Sequence, residues 1–166
     1  MQITSVRAAI ALVILAALSH PAMAQTSNPT ALLAEADRLA MLCNWPRAIP
    51  LYTEAGKEFH NAGNAKSELQ ARLGWIRTQA YQEPSAALAA EVEEDLRNPV
   101  IQGDTPLRLR CLLAKAAIEE QANEDSSRQT WEKILALAKG LGDRRWQARA
   151  ELGIIDFLDG DVAKAT

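Results

Sequence analysis

The sequence predicts an all-α protein, an α-solenoid of antiparallel helix hairpins stacked side by side. Three observations predict it. Apolar residues recur at helical spacing in almost every segment, with alanine abundant. No segment alternates like a strand, and Val, Ile and Thr are nowhere clustered between turn residues. Breakers return at intervals, so that second members of successive hairpins begin near 46, 84, 126 and 162. Such recurrence marks an internal repeat. A helix pair that cannot bury both its faces alone stacks on its neighbours.

The elements follow in order. Asn28-Pro29 caps and opens a first helix over 29–43, with proline in the first turn where its missing N–H costs little. Asn44-Trp45-Pro46 opens a second over 45–60, in which Pro50 should delete a hydrogen bond or force a kink. The stretch NAGN, 61–64, separates it from a third over 65–82, and Glu83-Pro84 opens a fourth over 84–97. Residues 98–106 form the longest connector, after which Thr105-Pro106 caps a fifth helix over 105–122. A sixth starts at about Asp125 and spans 126–140. GLGD, 140–143, ends it and begins a seventh over 143–159, and Gly160-Asp161 is expected to stop that one and begin an eighth.

Composition narrows the function classes. Hydrophobic residues make up 48% and charged residues 23%, with a net charge of -3. A mildly acidic chain lacks the basic footprint of nucleic-acid binding. The Arg144-Arg145 pair beside Asp143 reads as a solvated helix start. Residues 1–24 read as a signal peptide: Arg7 supplies the positive region, Ala8 to Leu18 the apolar run, and Ala22 and Ala24 the small residues before a cut near Ala24. Ser19, His20 and Pro21 end the run short of the roughly 20 apolar residues a membrane span needs. The expected organisation is a signal peptide over 1–24, a linker over 25–29 and a helical array over 30–166, placed outside the cytoplasm (periplasmic or secreted) with no membrane span after cleavage.

Particular residues carry a family resemblance. Trp45, Ala48, Tyr52 and Ala55 in CNWPRAIPLYTEA match the second-helix opening of a tetratricopeptide repeat. Leu73-Gly74 and Leu152-Gly153 resemble the Leu-Gly step of that family's first helix, and Gly160, Asp161, Val162 and Ala165 its turn and next opening. The third hairpin fits least, with Leu113-Ala114 at the Leu-Gly step and Thr130, Ile134 and Leu137 on its second helix. The resemblance implies about three and a half repeats. Small residues such as Gly74, Gly153, Ala48 and Ala86 would let helix axes approach, and Tyr52, Trp131 and Leu137 would fill the gaps. Ile154, Ile155, Phe157 and Leu158 would await a partner helix of which only DVAKAT is present, so the array is expected to continue past Thr166 or to meet a partner there.

The chemistry-bearing residues point away from catalysis. His60 is the one histidine outside the signal, so no zinc-type cluster is expected, and its place in a last helical turn suits the helix dipole. No Gly-x-Ser-x-Gly elbow or glycine-rich phosphate loop occurs. Cys43 and Cys111 lie two hairpins apart, near 20 Å at about 10 Å per layer, too far for a disulfide needing Cα atoms within roughly 7 Å. They are expected to be free, largely buried thiols. The acidic run 91–96 reads as a solvated helix face, without alternate calcium ligands. No cofactor or metal is expected.

Trp45 and Trp131 read as core residues, whereas Trp75 reads either as core or as part of a binding face. In the family it resembles, one face of each first helix lines a concave groove for peptides. Carried over from the Leu-Gly step, that face comprises Glu68, Ala71, Trp75, Thr78 and Gln79, then Arg108, Cys111, Lys115, Ile118 and Glu119, then Gln147, Ala150, Ile154 and Phe157. The expected function is a non-catalytic protein–protein scaffold that binds a peptide or protein segment in this groove. One alternative is a sensory or regulatory region of a larger signalling or protease-like protein whose catalytic domain lies past residue 166. Another is a pocket for a small apolar ligand between helices. The sequence leaves partner and oligomeric state open.

Overall fold

The computed structural model describes residues 28–122 and 126–164, with side chains described as far as Ile155 in the last helix. All regular structure among the described residues is helical: α1 (Pro29–Met41), α2 (Trp45–Asn61), α3 (Ala65–Ala80), α4 (Ala86–Asp95), α5 (Pro99–Gly103), α6 (Thr105–Ala122), α7 (Ser126–Leu141) and α8 (Arg144–Lys164). The signal peptide expected over 1–24 lies outside the described residues. None of the described helices is long and apolar enough to cross a membrane.

Short polar side chains start the helices by accepting the first free backbone N–H groups. Asn28 Oδ1 accepts from Thr30 N at 3.0 Å, Asn64 Oδ1 from Ser67 N at 3.1 Å and Ser85 Oγ from Leu88 N at 3.3 Å. Asp104 Oδ1 accepts from Leu107 N at 3.0 Å, so Asp104 rather than Thr105 caps α6. Asp143 Oδ1 takes the N–H groups of Arg145 and Trp146.

Three helix ends share one device. At Cys43, Gly63 and Gly142 the backbone turns left-handed, with φ of 55, 67 and 68°. Each is followed by an Asn or Asp whose N–H returns to a carbonyl five residues back: Asn44 to Leu39, Asn64 to Phe59, Asp143 to Ala138. This is the Schellman arrangement, and it reverses the chain within three residues. Glycine adopts the left-handed turn freely; Cys43 does so against its own Cβ.

Two sequence expectations need correction, and a third is met. Gly160-Asp161 does not stop a helix; α8 runs through both to Lys164. One interior glycine costs a helix only about 1 kcal/mol, and no proline follows to enforce a stop. The 98–106 connector is not open loop, because Asn98-Pro99 opens the short helix α5, with Asn98 Oδ1 accepting from Val100 N at 2.9 Å. Pro50 lies inside α2, which runs continuously from Trp45 to Asn61, and deletes one helical hydrogen bond as expected. Pro46 and Pro50 are both exposed, so the carbonyl that Pro50 leaves without a donor is at the surface.

Packing runs mostly in chain order. α1 packs on α2, α2 on α3, α6 on α7 and α7 on α8, while α3 meets α6 directly. The expected α3–α4 hairpin is loose. The ten-residue α4 lies against α6, and its Leu88 and Val92 fill the seam between α3 and α6. Three apolar clusters follow one another. The first joins α1, α2 and α3, the second α3 to α6, and the third α6, α7 and α8. Trp75 borders the first and second, and Leu96 the second and third.

Two close approaches repeat at one constant offset along the chain (52 to 131, 63 to 142, 74 to 153). The buried ring of Tyr52 on α2 lies where a Cβ on Gly74 of α3 would be, and Trp131 on α7 does the same to Gly153 of α8. The α2–α3 and α7–α8 units are thus two copies of one packing solution, in which a large aromatic on one helix uses a glycine gap on the next.

Candidate functional site: a cavity walled by α1, α3, α6 and α8

The first helices of the four expected hairpins surround a cavity of about 710 Å³, within the roughly 300–1,000 Å³ range of ligand sites. Leu73 and Gly74 of α3 and Leu109 and Leu113 of α6 supply apolar wall, Met41 and Leu42 close one end, and Arg145 and Trp146 of α8 stand opposite.

Two carboxylates tie this region together. Asp37 on α1 accepts from the Tyr52 hydroxyl at 2.7 Å and from both terminal nitrogens of Arg110, at 2.9 Å for Nη1. Arg110 thereby links α6 to α1 across the cavity. Glu120 on α6 accepts from the Tyr81 hydroxyl at 2.7 Å, from Trp131 Nε1 at 3.0 Å and from Arg149 Nη2 at 3.1 Å. Burial opposes the charge of Arg110 most strongly of any single cause, but the hydrogen bond and charge of Asp37 together with Tyr52 outweigh it and hold its pKa above the usual value. Burial, then the Glu120 charge and hydrogen bond, push Tyr81 up to about 12, and Tyr52 is raised by burial and Asp37 in the same way.

Aromatic rings and guanidinium groups fill the space between. Trp45 stacks on Tyr81 with centroids 4.5 Å apart and planes 6° from parallel. Arg149 lies 4.5 Å from the Trp131 ring. Arg77 on α3 stands between Trp146, at 4.8 Å, and Trp45, at 5.8 Å. It is partly buried, and its charge is desolvated enough that burial pulls its pKa below the usual arginine value, against the opposing pull of the Asp37 charge. Unlike Arg110 and Arg149, it has no ion pair or hydrogen bond to its guanidinium among the described residues. A cation–π contact contributes about 0.5–2 kcal/mol, less than the several kcal/mol that desolvating an ion costs.

The residues expected to line the groove lie elsewhere. Ala71 is buried against α1 and α2, and Thr78 is buried with its hydroxyl donating to Trp75 O at 2.8 Å. Trp75 packs between two apolar clusters and, with Glu68, borders a separate shallow depression of about 280 Å³. Glu68 meets His60 Nδ1 at 3.1 Å, and Gln79 Nε2 reaches Glu83 at 3.5 Å. On α6, Cys111 and Ile118 are covered within the second cluster, and Lys115 pairs with Glu93 of α4 and with Glu119 at 3.3 Å. Arg108 Nε and Glu119 Oε2 are buried with no hydrogen-bond partner among the described residues. Gln147 Nε2 donates to Ala138 O at 3.2 Å, Ala150 is buried and Ile154 packs in the third cluster. The Phe157 side chain lies outside the described residues.

None of the predicted groove residues lines the cavity. The difference between the two faces is rotational. At about 100° per residue, the cavity side of α3 (Leu73, Gly74, Arg77) sits more than a right angle from the predicted side. On α6, α4 covers the face expected to be open. The residues missed are Asp37, Arg77, Arg110, Glu120, Trp146 and Arg149. The cysteines are free, but Cys43 is exposed rather than buried. Burial pushes the Cys111 thiol up to about 12. Among the described residues no three His, Cys, Asp or Glu side chains gather as a metal site.

Comparison with known proteins settles no family. No family model matches the chain, no curated protein is similar to it, and no solved structure matches its fold.

Proposed function

We propose that the chain is a non-catalytic binding scaffold of the tetratricopeptide type, an α-solenoid working outside the cytoplasm, that holds an extended polypeptide segment in the α1–α3–α6–α8 cavity. The observation that carries this reading is the cavity itself, walled by the first helix of each expected hairpin and lined by both apolar and charged side chains. Extended peptides are held by apolar anchors with a few fixed polar contacts. Met41, Leu42 and Leu141 offer the first, and Arg77 and Trp146 the second. Export rests on the pattern over residues 1–24.

Ala34 tests the assignment. It is exposed, lies on α1 and lines the cavity. Ala34→Trp should fill the cavity while leaving the core intact. The mature chain, titrated with pools of blocked hexapeptides and followed by tryptophan emission, should bind; the variant should bind about tenfold more weakly at unchanged melting temperature. Equal binding by both proteins would place the peptide site elsewhere.

A further inference from the structure

We infer that Arg77 is the seat of a carboxylate, an acidic side chain carried by the segment that occupies the cavity; this rests on the peptide-binding reading above. The guanidinium lines a cavity of about 710 Å³, is desolvated, and feels the Asp37 carboxylate only through space, with no hydrogen bond or ion pair to it among the described residues. The carboxylates of the surrounding cluster are already committed. Asp37 takes Arg110 and Tyr52, and Glu120 takes Arg149, Tyr81 and Trp131. A cation kept out of water without a counter-ion is a cost to the fold. Such local conflicts gather at functional sites.

The indoles of Trp45 and Trp146 lie 5.8 and 4.8 Å from the guanidinium carbon, restricting the group and leaving its planar edge of donors for an acceptor. The charge balance of the wall limits the guest. Arg38, Arg77, Arg110 and Arg145 line the cavity with Asp37 and Asp143, and Arg38 and Arg110 are paired with Glu35 and Asp37. One added negative charge suits this wall; a polyanion would meet both aspartates. The exposed apolar side chains of Leu42 and Leu141 at the rim call for apolar neighbours beside the acid.

The test uses the mature chain and two pools of blocked hexapeptides built from leucine, alanine and serine. The pools are identical except for a central glutamate in one and glutamine in the other. Trp45 and Trp146 report directly, because they touch the proposed seat. The glutamate pool should bind about tenfold more tightly, the loss expected when one charge-assisted hydrogen-bonded contact is removed. Arg77→Met should abolish that preference and melt no lower than the wild type, since it removes an unmatched buried charge. Arg77→Lys, which keeps charge but not the fork, should retain a weaker preference.

Equal binding of the two pools overturns the carboxylate seat and leaves the groove standing, whereas failure of both pools overturns the groove and the seat with it. A glutamate preference that survives in Arg77→Met, or a large drop in that variant's melting temperature, makes Arg77 a packing residue.

Discussion

Replacing Gly74 with alanine adds one methyl group where α3 meets the ring of Tyr52. A Cβ at that position would stand 2.6 Å from Tyr52 Cζ, while ordinary contact begins near 3.4 Å. The ring cannot swing aside cheaply. Tyr52 is 1% exposed, and its hydroxyl is held by Asp37 at 2.7 Å. Overpacking of this kind costs about 1–3 kcal/mol, and a hydrogen bond to a charged group lost in the adjustment adds about 1.5–3 kcal/mol. The alanine returns about 1 kcal/mol of helix propensity. A net loss of about 1.5–5 kcal/mol is expected, lowering the melting temperature by about 3–20 °C for a chain of this size. Gly140 is the control, because nothing lies within 4 Å of its added Cβ. Gly140→Ala should gain up to about 1 kcal/mol. Urea unfolding followed by circular dichroism measures both. If Gly74→Ala proved as stable as the wild type while Gly140→Ala gained, the aromatic-into-glycine packing of α2 on α3 would be wrong.

Cys43→Gly should raise stability by about 1 kcal/mol in the same assay, because a left-handed φ of 55° strains any side chain bearing a Cβ. Alkaline titration should couple unfolding to both tyrosines. Their folded pKa values are raised, so the folded chain keeps protons that the unfolded chain loses above pH 10. That contribution is complete below pH 10 and is lost as pH climbs toward about 12, the value for Tyr81. Phenolate absorbance should therefore rise cooperatively with loss of helicity. Gradual appearance of phenolate in a still-folded protein would mean that the Asp37–Tyr52 and Glu120–Tyr81 contacts are open.

Helix positions were legible because they depend on local chemistry. Asn28, Asn64 and Asp143 mark starts by side chains that reach the first N–H groups, and apolar spacing marks the stretch between. The start of α5 carries the same Asn-Pro signature as α1, so its signal was present in the sequence. Helix stops were less legible. Gly63-Asn64, Gly142-Asp143 and Gly160-Asp161 look alike, yet only the first two turn the chain. A glycine permits the left-handed turn without demanding it. Cys43-Asn44 makes the same turn with no glycine at all.

The site was illegible for a different reason. Leu73-Gly74 identifies where helices approach closely, but which side of α3 faces open space depends on its neighbours. Ala71 on the expected side of α3 is buried against α1 and α2, and α4 rests on α6, where it covers Cys111 and meets Lys115. Leu88 and Val92 announce that α4 buries an apolar face without saying against which helix. Arg77 gave no signal, since only the folded chain shows that Asp37 and Glu120 pair with other arginines.

The central claim is that ligands enter between α1, α3, α6 and α8. The most direct measurement is nuclear magnetic resonance of the labelled mature chain while blocked hexapeptides are added. The account predicts that the methyl groups of Met41, Leu42 and Leu141 and the indole N–H of Trp146 shift together and saturate together. Saturable shifts confined to Glu68, Trp75 and their neighbours around the shallow depression on α2 and α3 would contradict it.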